Sequence, residues 1–384
     1  MRKSALLAFG LVVAMIVALG LVVLSSASGA NAIRLHHDPY FFMKRQFLYL
    51  GAGVVVATLV ALFDYHRWRD YPVLPWLFYG TVFLLLLAVF PPLGRAINGS
   101  YRWIDLHFFN LQPSEFAKLA VVIVLAAWLD KAGWRVELFM RGAFWPIVLV
   151  GALALPVMVE PDFGSTVVIG LTGLLVMLVA GVRILHMMPF FFVGFALLVV
   201  KVCSNANRMA RIAAWLGFKL AVGAEVVDAA ARNAEHQGDM ALAAIGRGHI
   251  WGVGLNQSMQ KYQYLPEAHT DMIFAIGAEE LGLPFSVGAF LLFVLFFALS
   301  VYIANRASDR FGRFLVVGMS FIIFFAAMFN IGVVCEALPM KGMALPFFSY
   351  GGTNMLSAFF AVGTIMSVGL HSCQSSRKRQ VPHG

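Results

Sequence analysis

Charge is what this chain has least of. Asp, Glu, Lys and Arg make up 12% of its 384 residues, where a soluble domain carries about 25%. That shortage excludes an ordinary water-soluble enzyme, because too few charged groups remain to cover a folded surface. Cysteine is scarce as well. Cys203, Cys335 and Cys373 are odd in number and widely separated, which argues against a disulfide framework and offers no metal-ligand spacing. A nucleotide loop is also missing. The stretch Gly246-Arg-Gly-His-Ile-Trp-Gly-Val-Gly254 has neither a flanking strand nor a Gly-Lys-Ser/Thr ending, and reads as flexible backbone beside a groove.

What is abundant is hydrocarbon. Hydrophobic residues account for 61% of the chain, and phenylalanine alone for 35 positions. A membrane-crossing helix needs about 20 apolar residues. Ten candidate spans lie near Ala5–Leu24, Phe47–Phe63, Leu74–Phe90, Phe116–Leu129, Phe144–Val159, Val167–Val182, Met188–Cys203, Phe285–Ala304, Phe314–Cys335 and Thr353–Leu370. The fourth is the weakest, being short and carrying Lys118. The first follows Met1-Arg-Lys like a signal peptide, but it is long and has no clear cleavage site, so it reads as a retained span. The expected fold is all-α: one polytopic membrane domain over residues 1–384 with about ten transmembrane helices.

Basic residues gather on alternate connections, at Arg2, Lys3, Arg67, Arg69, Lys131, Arg135, Arg183, Arg306, Arg310 and Arg377 among others. By the positive-inside rule this places both termini in the cytoplasm. The net charge of +9 is then a mark of topology and no argument for nucleic-acid binding. The one long loop, about 204–270, precedes the eighth span and falls on the outer side. The Arg102, Glu160 and Lys341 regions fall there too. A transporter is expected to hold its polar groups near the midplane; gathered at one interface, they favour an enzyme.

Several polar clusters carry candidate chemistry. Gly99-Ser-Tyr-Arg102-Trp103-Ile-Asp105 is followed by Gln112-Pro-Ser-Glu115-Phe-Ala-Lys118. Pro113 and Ser114 read as a helix start, and Glu115 and Lys118 share a helix face. They make either a neutralised ion pair beside an interfacial Trp or, through Arg102 and Lys118, a phosphate site. Glu160-Pro-Asp162-Phe-Gly164-Ser-Thr166 leaves almost no room for a loop and reads as a tight re-entrant turn, either purely structural with Ser165 or Thr166 capping the next helix or facing the substrate. Ala210–Val222 is amphipathic and suits the membrane surface. In Lys261-Tyr-Gln-Tyr-Leu-Pro-Glu-Ala-His-Thr-Asp271, Thr270 is a plausible N-cap and Asp271 a first-turn acid favoured by the helix dipole. His269 fits a switch, a ligand or a scaffold. Glu279 and Glu280 lie too deep for loop residues and are expected to pair internally. Finally, Pro339-Met-Lys341-Gly342 through Ser349-Tyr-Gly-Gly-Thr353 forms an irregular outer segment whose Lys341 and Ser349 offer donors to an anion, or which acts as a plug.

Taken in order, these motifs resemble the FtsW/RodA (SEDS) family of bacterial cell-wall polymerases from about residue 99 to 353. The Asp38–Gln46 segment, Tyr264-Leu-Pro-Glu-Ala-His269 and Pro339-Met-Lys-Gly342 resemble the FtsW, or division, branch more than the RodA branch. The resemblance implies a peptidoglycan glycosyltransferase of the cytoplasmic membrane that uses lipid II at the outer face. It implies Asp271 as general base, with Arg102, Trp103, Glu115, Lys118, Asp162, His269, Lys341 and Ser349 as the substrate-binding set. A single displacement at an α-linked sugar pyrophosphate would give a β-1,4 bond. No resident cofactor is implied for certain; a divalent cation such as Mg²⁺ is left open. The implied partners are a class B penicillin-binding transpeptidase, other divisome proteins and membrane lipid. The alternatives are a lipid II flippase, the elongation-type polymerase and a non-catalytic scaffold.

Overall fold

The structure is a computed structural model describing residues 2–70, 72–89, 94–97, 100–105, 110–160, 162–204, 209, 211–212, 215, 225–261, 268–339 and 341–378. Its helices are α1 (Arg2–His36), α2 (Phe41–Leu62), α3 (Val73–Val89), α4 (Pro113–Ala132), α5 (Trp145–Val159), α6 (Phe163–Val179), α7 (Ile184–Cys203), α8 (Glu225–Gly248), α9 (Ile273–Asn305), α10 (Arg310–Val334) and α11 (Gly352–Lys378). Among the described residues, seven helical segments are long and apolar enough to cross a membrane, and α3 and α6 are shorter apolar helices. Each of the ten predicted spans falls on a helix; α1 runs twelve residues beyond its predicted end and the helix Ile273–Asn305 begins twelve before its predicted start.

Two features depart from the sequence reading. A small antiparallel sheet of β1 (Gly94–Ile97), β2 (Ser100–Asp105) and β3 (Asn110–Leu111) stands before α4. It pairs Arg95 with Trp103 and Asp105 with Asn110, so the Arg102-Trp103 motif rides on a strand. The long segment expected on the outer side is likewise no simple loop, since the 24-residue α8 occupies much of it and packs on α9. The predicted amphipathic stretch Ala210–Val222 lies mostly outside the described residues.

Burial explains why the weakest predicted span is the most central. In α4, 15 of 20 residues are buried, Glu115 and Lys118 included. The helix is rich in Ala and Val, and small side chains let neighbouring helices approach closely inside a membrane. Its charges therefore face protein and a polar hollow, where lipid would penalise them. At the opposite extreme α7, predicted with equal ease, stands at the edge with only Met187 buried. The first span is built into the bundle: Phe9 and Ile16 are fully buried, and the Phe9 ring lies 5.3 Å from that of Phe296 on α9.

Helix α9 is broken near its start. Gly282 adopts φ 70°, ψ −155°, a conformation that glycine alone reaches without strain. Pro284 has no N–H to offer the Glu280 carbonyl, and the Leu283 amide donates instead to Ile250 O at 3.1 Å. The carbonyls of Glu279 and Glu280, released by that break, accept from Val253 and Gly254 N–H, each at 3.0 Å. The glycine-rich stretch expected to be flexible is thus pinned to the break. A side chain on Gly252 would stand 2.2 Å from the Glu280 carbonyl.

Candidate functional site

The site is assembled from four segments, two of them neighbours in sequence and the others more than forty residues away. Asp271 comes first. The helix it precedes begins at Ile273 with Met272 in the cap position, so Thr270 is not the N-cap and Asp271 lies just outside the helix. Its backbone is held by Asn330 of α10, whose amide donates to Asp271 O and to Met343 O, both at 2.7 Å. Two carbonyls on separate loops share one NH₂ group, which joins the Asp271 and Lys341–Met343 segments. Gly342 lets them meet: a Cβ there would stand 2.2 Å from Asp271 Oδ2.

Ser349 and His269 belong to this framework. The Ser349 hydroxyl donates to Thr270 O at 2.6 Å and accepts from Leu345 N at 2.8 Å. With Ser349 buried at 1% exposure, it braces the Asp271 turn and is not placed as the anion donor expected of it. The His269 ring packs 4.8 Å from Phe42, and its Nδ1 lies 3.4 Å from Asn31 Nδ2. Of its three readings, these contacts fit the scaffold.

Asp162 forms the second wall. It caps α6 by accepting from Ser165 N at 3.3 Å, and its other oxygen receives Gln112 Nε2 at 3.2 Å and Ser114 Oγ at 3.0 Å. The cap is therefore Asp162, in place of the Ser165 or Thr166 expected. Burial pushes against ionisation of Asp162, but the charge of Lys341, the Ser165 bond, Arg102 and Lys118 outweigh it and hold the pKa below the ordinary value. Lys341 Nζ stands 5.3 Å above the Phe163 ring.

Glu160, two residues earlier, behaves oppositely. It is 1% exposed, and among the described residues neither carboxyl oxygen has a hydrogen-bond partner. Burial, with Asp162 nearby and only Arg102 opposing, pushes its pKa up to about 8. The folded protein thus keeps a proton that the unfolded chain releases from about pH 4.5 upward, so stability should fall as pH rises through that window and level off above about 8. Glu160→Gln should flatten the fall. Thermal unfolding in detergent at pH 5, 6.5 and 8 reads it, and an unchanged pH dependence in the variant would show that Glu160 is already ionised.

The third wall is the start of α4. Lys118 Nζ meets Glu115 Oε1 at 2.6 Å, and Ser357 Oγ of α11 donates to Glu115 Oε2 at 2.7 Å. The ion pair is formed, which leaves the Lys118 ammonium with two further donor directions. The fourth wall is β2. Among the described residues, Arg102 Nε and Trp103 Nε1 are buried donors without a protein partner, an uncommon state that asks for a ligand or water.

These walls enclose a cavity of ≈ 690 Å³ lined by Arg102, Trp103, Glu115, Lys118, Asp162 and Asp271 together with Arg45, Tyr49, Asn110 and Tyr350. Six of the nine predicted site residues line it; His269, Lys341 and Ser349 stand outside its lining. Sequence reasoning missed Asn330, although an Asn in the middle of an apolar run was a legible signal. It also missed Arg45, Gln112 and Gly342. A second hollow of ≈ 540 Å³ between α1 and α9 is lined by Leu19, Leu281, Phe285, Leu292 and similar residues. It has no titratable group, so the chemistry belongs to the first. Among the described residues no group of three His, Cys, Asp or Glu side chains is placed to hold a metal ion.

Comparison with known proteins agrees over nearly the whole chain. The family described as cell cycle protein, covering FtsW, RodA and SpoVE, matches residues 6–374. The chain is 34% identical to the probable peptidoglycan glycosyltransferase FtsW of Trichlorobacter lovleyi, covering 93% of this chain and 91% of that protein. It is 36% identical to stage V sporulation protein E of Bacillus subtilis, covering 93% and 95%. A solved peptidoglycan synthase complex that coordinates polymerization and crosslinking contains a chain that superposes with a TM-score of 0.72, covering 96% of this chain and 98% of that one. At 24% identity that likeness speaks for the fold. With a family match across its length and relatives above 30% identity, this chain belongs to the FtsW/RodA/SpoVE family of multi-pass membrane proteins.

Proposed function

We propose that the protein is a peptidoglycan glycosyltransferase that polymerises lipid II at the outer face of the cytoplasmic membrane, in septal division. The observation that carries this reading is one cavity holding both a carboxylate, Asp271, and two buried donors unpartnered among the described residues, Arg102 Nε and Trp103 Nε1, beside the Lys118 ammonium. In the transfer, a sugar hydroxyl attacks the anomeric carbon of the lipid-linked donor. The new C–O bond forms as the bond to pyrophosphate breaks, with inversion. Asp271 takes the hydroxyl proton as general base. Arg102, through its planar fork, and Lys118, as a point charge, stabilise the negative charge that leaves with the pyrophosphate.

Relatives named peptidoglycan glycosyltransferase and the fold shared with a polymerising and crosslinking complex support the enzyme and a class B penicillin-binding transpeptidase as partner. The family's other members make an elongation role the alternative, which imaging separates: a septal enzyme concentrates at mid-cell. The decisive assay is glycan formation from lipid II by the purified protein with its transpeptidase. Transbilayer movement of lipid II without chains would establish a flippase instead.

Arg102→Lys should keep the charge and lose the fork. We expect about a tenfold or greater loss of glycan synthesis with undiminished folded protein. A loss of activity only in proportion to lost protein would make Arg102 structural.

The outer placement of the site has its own test. A cysteine at Leu255, 51% exposed, should react with an impermeant thiol reagent added to intact cells lacking Cys203, Cys335 and Cys373. A cysteine at exposed Ser308 should react only after the cells are opened. The reverse pattern would put the cavity in the cytoplasm, where extracellular polymerisation is excluded.

A further inference from the structure

Three buried charges take no part in the transfer step. Glu279 is 0% exposed, Glu280 1% and Lys261 3%. The Lys261 ammonium donates to Asn256 Oδ1 at 2.6 Å, Ser26 Oγ at 3.1 Å and Glu280 Oε1 at 3.2 Å, which accounts for its three protons. The same Glu280 oxygen accepts from Ser26 Oγ at 2.5 Å and Ser258 N at 3.2 Å. Glu279 accepts from the Ser258 hydroxyl and from Met259 N, the latter at 3.2 Å. Arg247, at the end of α8, stands 3.7 Å from Glu279.

Such a cluster is a poor source of stability, since desolvating the charges offsets most of their attraction and hydrocarbon of equal volume serves as well. Its position suggests another use. The break at Gly282 separates the short half-helix Ile273–Leu281 from the long remainder of α9, so the remainder does not aim it. Asp271 precedes one end of that half-helix, and Glu280 sits at the other. Nine helical residues form a stiff rod about 13 Å long, so whatever fixes Glu280 fixes the direction of the end bearing Asp271. Lys261, ten residues before Asp271 in sequence, closes the same segment from its other side.

We propose that the Lys261–Glu280 pair is a positioning clamp that holds the half-helix Ile273–Leu281 at the angle presenting Asp271 to the cavity. The clamp rests on Asp271 being the base. It touches no substrate, and its loss should lower turnover while leaving lipid II binding in place.

The test uses the purified full-length protein with lipid II, with kcat and KM expressed per mole of monodisperse protein. In Glu280→Gln and Lys261→Met, kcat should fall about ten- to a hundredfold, the scale of a misplacement near 1 Å, with KM within about twofold. The charge-reversed double variant Lys261→Glu/Glu280→Lys should recover much of the loss. Should the single variants not fold, Ser26→Ala removes one donor to Glu280 and keeps both charges, and a severalfold fall in kcat at constant KM is expected. Unchanged kcat per folded molecule, or a KM that rises in step with the loss, would overturn the clamp. Wild type and Asp271→Asn, run alongside, separate the two claims. Glycan made by Asp271→Asn removes the base itself; an inactive Asp271→Asn with fully active clamp variants removes only the clamp.

Discussion

Asp271→Asn should abolish glycan polymerisation, lowering it on the order of a hundredfold or more, the scale of a lost general base. The substitution is nearly isosteric. The framework around it grips backbone, with Asn330 on the Asp271 carbonyl and Ser349 on that of Thr270, so the variant should fold, insert and bind its partner normally. That separation of chemistry from folding gives the experiment its force. Lipid II polymerisation by purified variant and wild type, matched for folded protein, is the measurement. Chain synthesis within a few fold of wild type would take the base role from Asp271.

Gly342→Ala should be nearly as damaging, without touching any titratable group. The added methyl would lie 2.2 Å from Asp271 Oδ2 and 3.2 Å from its carboxyl carbon, closer than side chains approach in folded proteins. Gly342 is not among the positive-φ glycines, so alanine meets no backbone strain there and the clash itself is what is tested. The Lys341–Met343 segment cannot retreat easily, because Asn330 ties Met343 O to Asp271 O. The carboxylate must therefore move, and a displacement near 1 Å costs about a hundredfold in a positioned reaction. We expect a drop of that order in kcat, with thermal stability lowered modestly. Activity within twofold of wild type would mean the carboxylate has room to move without consequence.

Much of the architecture was legible from composition and spacing. A span's existence follows from its own apolar length, so each of the ten predicted spans falls on a helix. The Glu115–Lys118 pair and the Pro113 helix start were readable for the same reason: both depend on residues three or four apart. The internal pairing of Glu279 and Glu280 followed from the cost of a carboxylate among apolar neighbours.

Other readings went wrong where a residue's role depends on a distant partner. The glycine-rich stretch looked flexible because glycine permits flexibility, yet the carbonyls freed at the α9 break hold it rigid. Ser349 read as either an anion donor or part of a plug, and its single hydroxyl proton goes to Thr270 O. Thr270 looked like a cap, and the helix starts beyond it.

By itself, then, the sequence determined the membrane class, the helical spans and the polar motifs between them, since these depend on local hydrophobicity and on neighbours within a turn or two. Only the tertiary structure decided which motif residues face a common cavity, which brace it from behind, and that Asn330 joins Asp271 to Met343. Those choices depend on contacts between residues tens to hundreds of positions apart, set by how the helices pack, and no local pattern encodes that packing.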